Sequence, residues 1–208
     1  MDIKNLTNIS NETLSKLSSL IKTKSDNSQS LSVSLGTEKI NTDSDYIKSL
    51  EIELTRPSDT ENYAAGDCVN TATSGSAILT FSNAAKSTGA GVIIASARFQ
   101  TNDKVKFLGK RFRLHLYRDA GVIAINDNVA FEMLYANSSK RFGYIDFTFP
   151  SVADGGATDS IAVQIDGINK VVQLVGTSIY AQLQILDAVT APISGAKIKM
   201  HLHVIQTN

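Results

Sequence analysis

Apolar and polar residues alternate with a period of two along most of this 208-residue chain, which is the pattern of half-buried β-strands. From Tyr63 onward, short stretches of this kind are separated by Gly, Asn and Asp, the residue types that form turns. No segment there has the length, the helical periodicity and the end signals of a long helix. The predicted strands of this region span residues 77–81, 92–99, 112–118, 141–149, 160–165, 170–174, 179–186 and 197–206.

The connections between these strands indicate how they pair. Asp166-Gly167 lies between two apolar-rich stretches and is a strong signal for a β-hairpin, because a type I′ turn needs positive φ at both central positions. Regularly spaced strands with this turn chemistry favour antiparallel pairing over βαβ units. The predicted fold class is therefore mainly β, an antiparallel β-sandwich or jelly-roll-like domain with a short N-terminal helical or extended segment.

The N-terminal part has a different composition. Residues 5–45 are rich in Ser, Thr, Asn and Lys and contain no aromatic residue, so they cannot form a large core. Ser10-Asn11-Glu12 opens a segment whose apolar residues recur at helical spacing, which predicts one short amphipathic helix. Such a helix is marginal in water, so its apolar stripe needs a partner in the same chain, a sister subunit or another protein. The predicted attachment or oligomer contacts are Leu14, Leu17, Leu20 and Ile21.

Two further alternating stretches precede the main domain. Residues 31–35 alternate apolar residues with Ser, and residues 50–55 alternate apolar with polar residues up to Pro57. Because proline cannot extend a central strand, Pro57-Ser58-Asp59 predicts a boundary between an attachment and oligomerisation segment, 1–56, and a β-domain, 57–208. The alternative is that the strand at 50–55 is the first strand of the main domain.

Two of the predicted strands show which side is buried. In 112–118 and 197–206, apolar residues occupy every second position and are predicted to face the core. The intervening polar residues are predicted to face solvent or a neighbouring subunit, and their Arg, Tyr and His content is compatible with an interface. The candidate interface residues are Arg113, His115, Tyr117, His201 and His203.

The histidines are the only candidates for a metal site. His201 and His203 are two residues apart and point to the same side of a strand, and His115 could add a third ligand if its strand were adjacent. Exposed strand histidines without a metal are the commoner case, so we predict no metal and no cofactor. The single cysteine, Cys68, excludes an intrachain disulfide and is predicted to be a small buried residue in a strand.

The charge balance excludes several partners. The chain has 20 basic and 20 acidic residues, so no overall field draws it onto nucleic acid or an anionic membrane. The basic stretch 104–113 could bind single-stranded nucleic acid or an acidic protein surface, but a loop with Phe107 and Leu108 in the core is favoured. The N-terminus has no signal-peptide pattern and no apolar run could cross a bilayer, which predicts a soluble protein made in the cytoplasm.

No catalytic motif is present in the sequence. It contains no phosphate-binding loop, no nucleophile elbow, no zinc-protease motif and no calcium loop. The spacing of the Asp residues selects no carboxylate pair, and Asp127, beside two Asn residues, is predicted to be a turn-forming residue. We therefore predict that the protein is not an enzyme.

A series of short phrases carries a resemblance to a known class of proteins. The residues include Tyr63-Ala64-Ala65-Gly66-Asp67-Cys68-Val69, Phe112-Arg113-Leu114-His115-Leu116-Tyr117, Asn126-Asp127-Asn128-Val129-Ala130-Phe131, Gly143-Tyr144-Ile145-Asp146-Phe147 and Gln164-Ile165-Asp166-Gly167-Ile168-Asn169-Lys170. Over about the last two thirds of the chain, they resemble small virion structural proteins of tailed bacteriophages.

The resemblance implies a protein of the capsid surface that is made in the host cytoplasm, either a head fibre or a decoration protein. Its implied partners are the major capsid protein or other virion proteins, together with sister subunits, for which a homotrimer is the favoured arrangement. A tail or baseplate accessory protein would reuse the same kind of small β-domain. The alternative from another class is a carbohydrate-binding β-sandwich module that binds a host-surface glycan, although the chain has no Trp and only six Tyr.

Overall fold

The computed structural model describes residues 21–23, 29–31, 34–35, 38–39, 46–150 and 160–207. The chain divides into two compact units, Met1–Ser44 and Asp45–Asn208. In the first unit, β1 (Ile21–Thr23) pairs antiparallel with β2 (Gln29–Leu31), and β3 (Ser34–Leu35) pairs antiparallel with β4 (Glu38–Lys39).

The regular secondary structure in the described part of the second unit is β-strand, apart from one short helix, α1 (Tyr135–Ser138). Within the described residues, no helix has the length and hydropathy that a transmembrane helix needs. The strands are β5 (Tyr46–Thr55), β6 (Cys68–Val69), β7 (Leu79–Phe81), β8 (Gly91–Thr101), β9 (Arg111–Tyr117), β10 (Arg141–Thr148), β11 (Ile161–Ile165), β12 (Lys170–Gln173), β13 (Ile179–Ile185) and β14 (Lys197–Gln206).

These strands form two five-stranded antiparallel sheets. In the β14 sheet, β14 lies between β5 and β8, while β11 and β12 follow each other along the other side of β8. In the β9 sheet, the order is β10, β9 and β13, and β6 and β7 share the far side of β13. The predicted mainly β, sandwich-like fold class is confirmed.

The core lies between the apolar sides of the two sheets. Phe99 of β8 stacks on Phe147 of β10 with ring centroids 3.7 Å apart, so the two sheets contact each other directly. Phe112 and Phe149 extend this aromatic cluster with edge-on packing. The predicted inward row of β14 is confirmed as fully buried at Ile198, Met200, Leu202 and Val204.

The Asp166-Gly167 segment does not form the predicted hairpin. Instead, β11 and β12 run in the same direction and both pair with β8, and the Ile168 amide donates to the Ala95 carbonyl at 3.0 Å. Ala95 is the extra residue of a β-bulge, because His203 pairs with Ser96 whereas the next residue of β14 pairs with Ile94. The prediction was wrong because positive φ, found at Gly167 (67°), suits a break in an edge strand as well as a turn.

The strand before Pro57 belongs to the β-domain. β5 pairs with β14 along its whole length, and its side chains Leu50 and Leu54 are buried in the core. The second unit begins at Asp45, so the alternative in which this strand opens the main domain describes the structure, and the boundary at Pro57 does not.

The predicted N-terminal helix falls mostly outside the described residues. Leu14, Leu17 and Leu20 lie outside them, whereas Ile21 begins β1, where it pairs with Leu31. The prediction of a helical stripe is therefore wrong at Ile21, because cross-strand pairing fixes that residue in an extended conformation.

Candidate interaction surfaces

Charged side chains on the outward side of the β14 sheet neutralise one another across strands. The register places Lys199 opposite Glu53 and His201 opposite Glu51. Lys197 Nζ lies 2.6 Å from Glu53 Oε1, and Lys199 Nζ lies 3.5 Å from Glu53 Oε2. The hydrogen bond from Lys197 lowers the pKa of Glu53 below its usual value. This charged ladder therefore leaves little net charge on the middle of the sheet.

The two histidines of β14 lie on the same outward side, as the spacing predicts. His201 Nδ1 is 3.7 Å from Glu51 Oε2, and His203 Nδ1 lies 2.8 Å from Ser96 Oγ. The idea that His115 supplies a third metal ligand is wrong, because His115 belongs to the other sheet. In the part of the chain that the structure describes, no group of three or more His, Cys, Asp or Glu side chains could hold a metal ion.

An apolar row crosses the same outward side at the end where β5 begins. Ile47 pairs with Ile205, Ile205 pairs with Ile93, and Ile93 pairs with Val171, so four neighbouring strands each contribute one residue. Ile47 is 70% exposed and Val171 is 73% exposed, whereas Ile205 and Ile93 are half-buried. Sequence reasoning missed this row, because its members come from four distant segments and only the strand register brings them together.

The outward side of the β9 sheet is covered by the chain itself. His115 and Tyr117 were predicted to face solvent or a neighbouring subunit, but they are only 3% and 1% exposed. The connection between β9 and β10 covers them, and the Phe131 ring stacks on His115 with centroids 3.9 Å apart. The prediction of exposure was wrong because local alternation cannot reveal that a distant segment forms a lid over the polar row.

Burial changes the acid–base chemistry of His115. Removal from solvent is the main cause that lowers its pKa to about 4, although a hydrogen bond between Nε2 and Gln184 Oε1, 3.0 Å long, opposes this shift. Nδ1 has no hydrogen-bond partner among the described residues. His115 is therefore a neutral internal residue of the folded protein at neutral pH.

A second buried polar cluster fixes the connection between β9 and β10 to the segment after β5. The Tyr63 hydroxyl donates to Asp127 Oδ1 at 2.7 Å, and the backbone N–H of Asn70 donates to the same oxygen at 2.7 Å. Arg56, whose side chain is fully buried, hydrogen bonds to Tyr63 and places Nη2 3.7 Å from Asp127 Oδ2. Burial raises the pKa of Asp127 above its usual value despite these contacts. Asp127 lies in a turn with Asn128, as predicted, and its buried carboxylate also belongs to a structural network.

Cationic side chains surround an exposed aromatic ring at the edge of the β9 sheet. Tyr144 is 41% exposed, and its ring centroid lies 4.1 Å from the Arg113 guanidinium carbon, 5.2 Å from that of Arg141 and 5.8 Å from Lys170 Nζ. Asp146 forms a two-point ion pair with Arg113, at 2.6 and 2.8 Å. Among the described residues, no acidic side chain pairs with Arg141 or Lys170.

A surface depression of about 320 Å³ adjoins this ring and is lined by Met133, Ser138, Arg141, Gly143 and Tyr144. A side chain at position 143 would lie 3.3 Å from Lys170 Nζ, so glycine there permits the close approach of the lysine. We call the ring, Arg141, Lys170 and this depression the Tyr144 site.

Other residues named from the sequence occupy structural positions. Cys68 is fully buried in β6, as predicted, and burial raises its pKa to about 12. In the basic stretch 104–113, Phe107 is fully buried and Leu108 packs against the core, which confirms the favoured interpretation of that stretch. Arg111 pairs with Asp187 at 2.7 Å on the surface.

Comparisons with known proteins add little to this description. No protein-family model matches the chain, and no curated protein sequence matches it. A solved structure of the empty head of turnip yellow mosaic virus is similar, with a TM-score of 0.28 and 7% identity over 86% of this chain and 90% of that chain. A structure of Desmodium yellow mottle tymovirus matches with a TM-score of 0.26 and 10% identity, over 85% and 97% of the two chains. At these TM-scores the similarity supports no inference about function.

Proposed function

We propose that this protein is a structural component of a tailed-phage virion, a head fibre or capsid decoration protein. In this proposal, the β-domain is displayed on the capsid surface and the N-terminal segment attaches it to the major capsid protein or another virion protein. The observation that carries the proposal is the set of phrases that resemble small virion proteins, spread over about two thirds of the chain.

The positions of those shared residues in the fold support a structural role. Gly66, Asn128 and Gly167 have φ values of 101°, 58° and 67°, so they serve backbone conformations that most side chains disfavour. Asp67 is buried and its Oδ2 accepts from the Ala64 amide at 2.6 Å. Shared residues that shape turns maintain a fold and do not perform a reaction, so we propose that the protein is not an enzyme.

We propose that residues 1–45 provide attachment and oligomer contacts, through Leu14, Leu17, Leu20 and Ile21. The β-domain buries its own core between two sheets, whereas the N-terminal segment is rich in polar residues and has apolar residues that need a partner. A trimer is the favoured assembly, by analogy with small projecting virion proteins.

Two measurements test this proposal. Mass spectrometry of purified virions should detect the protein, and its absence from virions would refute a structural role.

In co-sedimentation with heads, deletion of residues 1–45, or the combined changes Leu14→Ser, Leu17→Ser and Ile21→Ser, should abolish binding. The matched control is Ser15→Ala with Ser18→Ala and Ser19→Ala, which alters the same segment without removing an apolar residue. Unchanged binding by the deletion would place the attachment site in the β-domain.

The Tyr144 site favours a second function, the binding of an acidic host-surface glycan. A sugar could pack beside the exposed ring, and its carboxylate or phosphate could pair with Arg141 and Lys170, for which the described residues offer no counter-ion. On a glycan array, Arg141→Gln with Lys170→Gln should then abolish binding to acidic glycans. Tyr135→Ala is the control, because Tyr135 is 93% exposed and lies outside the site. If the parent protein bound no acidic glycan on the array, the proposal of a glycan-binding function would be wrong.

A further inference from the structure

The apolar row Ile47, Ile205, Ile93 and Val171 stands apart from the rest of the outward side of the β14 sheet. The neighbouring cross-strand row is Ser49, His203 and Ser96, and the rows beyond it contain the charged ladder. Four β-branched residues therefore occupy the only fully apolar row on the described outward side of this sheet.

Strand propensity and packing within the chain explain only half of this row. β-Branched residues suit strands and stabilise cross-strand pairs, and the central residues Ile205 and Ile93 are half-buried by their neighbours. The terminal residues Ile47 and Val171 remain 70% and 73% exposed, so no described part of the chain covers them. Thr or Lys would serve a solvent-exposed edge strand better than Ile or Val. The row has the character of an interaction surface.

We propose that this surface binds the same surface of a second copy of the chain, about a twofold axis that runs along the strands between β14 and β8. This rotation reverses the strand order, so Ile47 of one copy meets Val171 of the other and Ile205 meets Ile93. A row that is apolar at all four positions is complementary to itself under such an axis. The row is then the dry part of the contact, and the polar rows form its hydrated margin.

The charges on this side fit a second copy. Reversal of the strand order places Glu51 opposite Gln164 of the other copy, because both residues lie in the row that contains His201 and Arg98. In the next row it places Lys199 opposite Gln100. No acidic residue of these rows meets an acidic residue and no lysine meets a lysine, whereas His201 meets Arg98 and is contacted at 3.7 Å by Glu51 of its own chain. The ion pairs between β14 and β5 are already formed within each chain. The Tyr144 site, whose Arg141 and Lys170 have no acidic partner among the described residues, would repel its own copy.

This inference concerns the β-domain alone and does not rest on the proposed virion role or on the N-terminal contacts. The first test measures the molar mass of the full-length protein by light scattering. Ile47→Ser with Val171→Ser should lower the mass, and should halve it where the twofold contact alone joins two assemblies. The control, Ile123→Ser with Val129→Ser, removes two residues that are 58% and 46% exposed outside the row and should leave the mass unchanged. Equal masses for the parent protein and the row variant would overturn the proposal.

The second test fixes the orientation of the two copies. Ile47 and Val171 are separated by three strand spacings, about 14 Å, so cysteines at these positions cannot bond within one chain. Face-to-face sheets lie about 10 Å apart, which is too far for a disulfide, so a short thiol–thiol cross-linker is used. With it, the full-length variant Ile47→Cys with Val171→Cys should form a covalent dimer on a denaturing gel. The native Cys68 is buried and gives no background. Cross-linking by Ile47→Cys alone, or no cross-linking by the double variant, would overturn this pairing.

A virion partner is the other candidate for this surface, and the same variants distinguish it. If Ile47→Ser with Val171→Ser left the mass unchanged but abolished co-sedimentation with heads, the surface would bind a virion protein and the twofold contact would be wrong. A lower molar mass of this variant, together with normal co-sedimentation with heads, would support the contact between copies and leave the virion role intact.

Discussion

The outward sides of the two sheets begin from the same sequence pattern and end in opposite environments. β9 and β14 both alternate inward apolar residues with outward Arg, Lys, His or Tyr. On the β9 sheet, the connection to β10 covers His115 and Tyr117, whereas on the β14 sheet His201 and His203 stay at the surface. The difference shows that alternation decides which side faces the core, but long connections decide whether the other side meets water.

The covered side is stabilised by buried polar contacts and the open side by surface ion pairs. Arg56, Tyr63 and Asp127 form their contacts away from water, where a lost partner leaves an uncompensated charge. Lys197 and Glu53 form theirs at the surface, where solvent can replace either partner. The two sides should therefore respond differently to substitution and to pH.

The largest effect should come from removal of the edge strand of the open sheet. Residues 57–208 lack β5, which supplies the buried side chains Leu50 and Leu54 and covers one edge of β14. We expect this fragment to be unfolded or aggregated, whereas residues 45–208 should give a β-type circular dichroism spectrum and a cooperative thermal transition. A folded 57–208 fragment would show that the domain does not need β5.

The next largest effect should come from the network beneath the covered side. Asp127→Asn removes the buried charge that Tyr63 and the Asn70 backbone N–H donate to and leaves Arg56 with Asp59 as its remaining carboxylate, 3.2 Å away. The change should lower the free energy of unfolding by about 1.5–3 kcal/mol. The control is Glu53→Gln on the open side, which breaks the surface pairs with Lys197 and Lys199 and should cost about 1 kcal/mol or less. Urea denaturation of both variants measures the difference, and similar losses would contradict the contrast between the two sides.

A third effect concerns pH and the covered histidine. The pKa of His115 is about 4 in the folded protein, below the ordinary value of 6.5, so the unfolded chain binds the proton more readily. The stability that follows from neutral His115 is fully present above pH about 6.5 and decreases as the pH falls towards 4. At pH 5 the loss should be about 2 kcal/mol relative to pH 7.

Urea denaturation at pH 7 and pH 5 tests this expectation. In His115→Gln the loss attributed to His115 should disappear, because glutamine does not titrate. His203→Gln on the open side is the control and should keep the pH dependence of the parent protein. An unchanged pH dependence in His115→Gln would show that another group controls the response to acid.

The sequence predicted most strands because their period, length and turn residues are local properties. The inward row of β14 was predicted correctly at Ile198, Met200, Leu202 and Val204, since every second residue of a strand faces the same side. Pairing was less predictable. Asp166-Gly167 supplied the expected positive φ at Gly167, yet the pairing of its two flanking strands depends on the bulge at Ala95 in β8, which is distant in sequence.

The candidate surfaces were less predictable still, because they depend on contacts between remote segments. The burial of His115 follows from Phe131, which is in a different segment of the chain. The row from Ile47 to Val171 requires the register of four strands, and the Tyr144 site requires Lys170 to approach the edge of β10. None of these relations has a periodic signature in the sequence.

The smallest effect should come from the histidines of the open side. His201 and His203 contact Glu51 and Ser96, and the described residues around them provide no third metal ligand. We therefore expect that neither zinc nor a chelator changes the melting temperature of the parent protein, and that His201→Asn with His203→Asn behaves in the same way. Differential scanning fluorimetry with zinc or EDTA provides the measurement. A large decrease in the parent's melting temperature on chelation, absent from the variant, would establish a metal site on the open side.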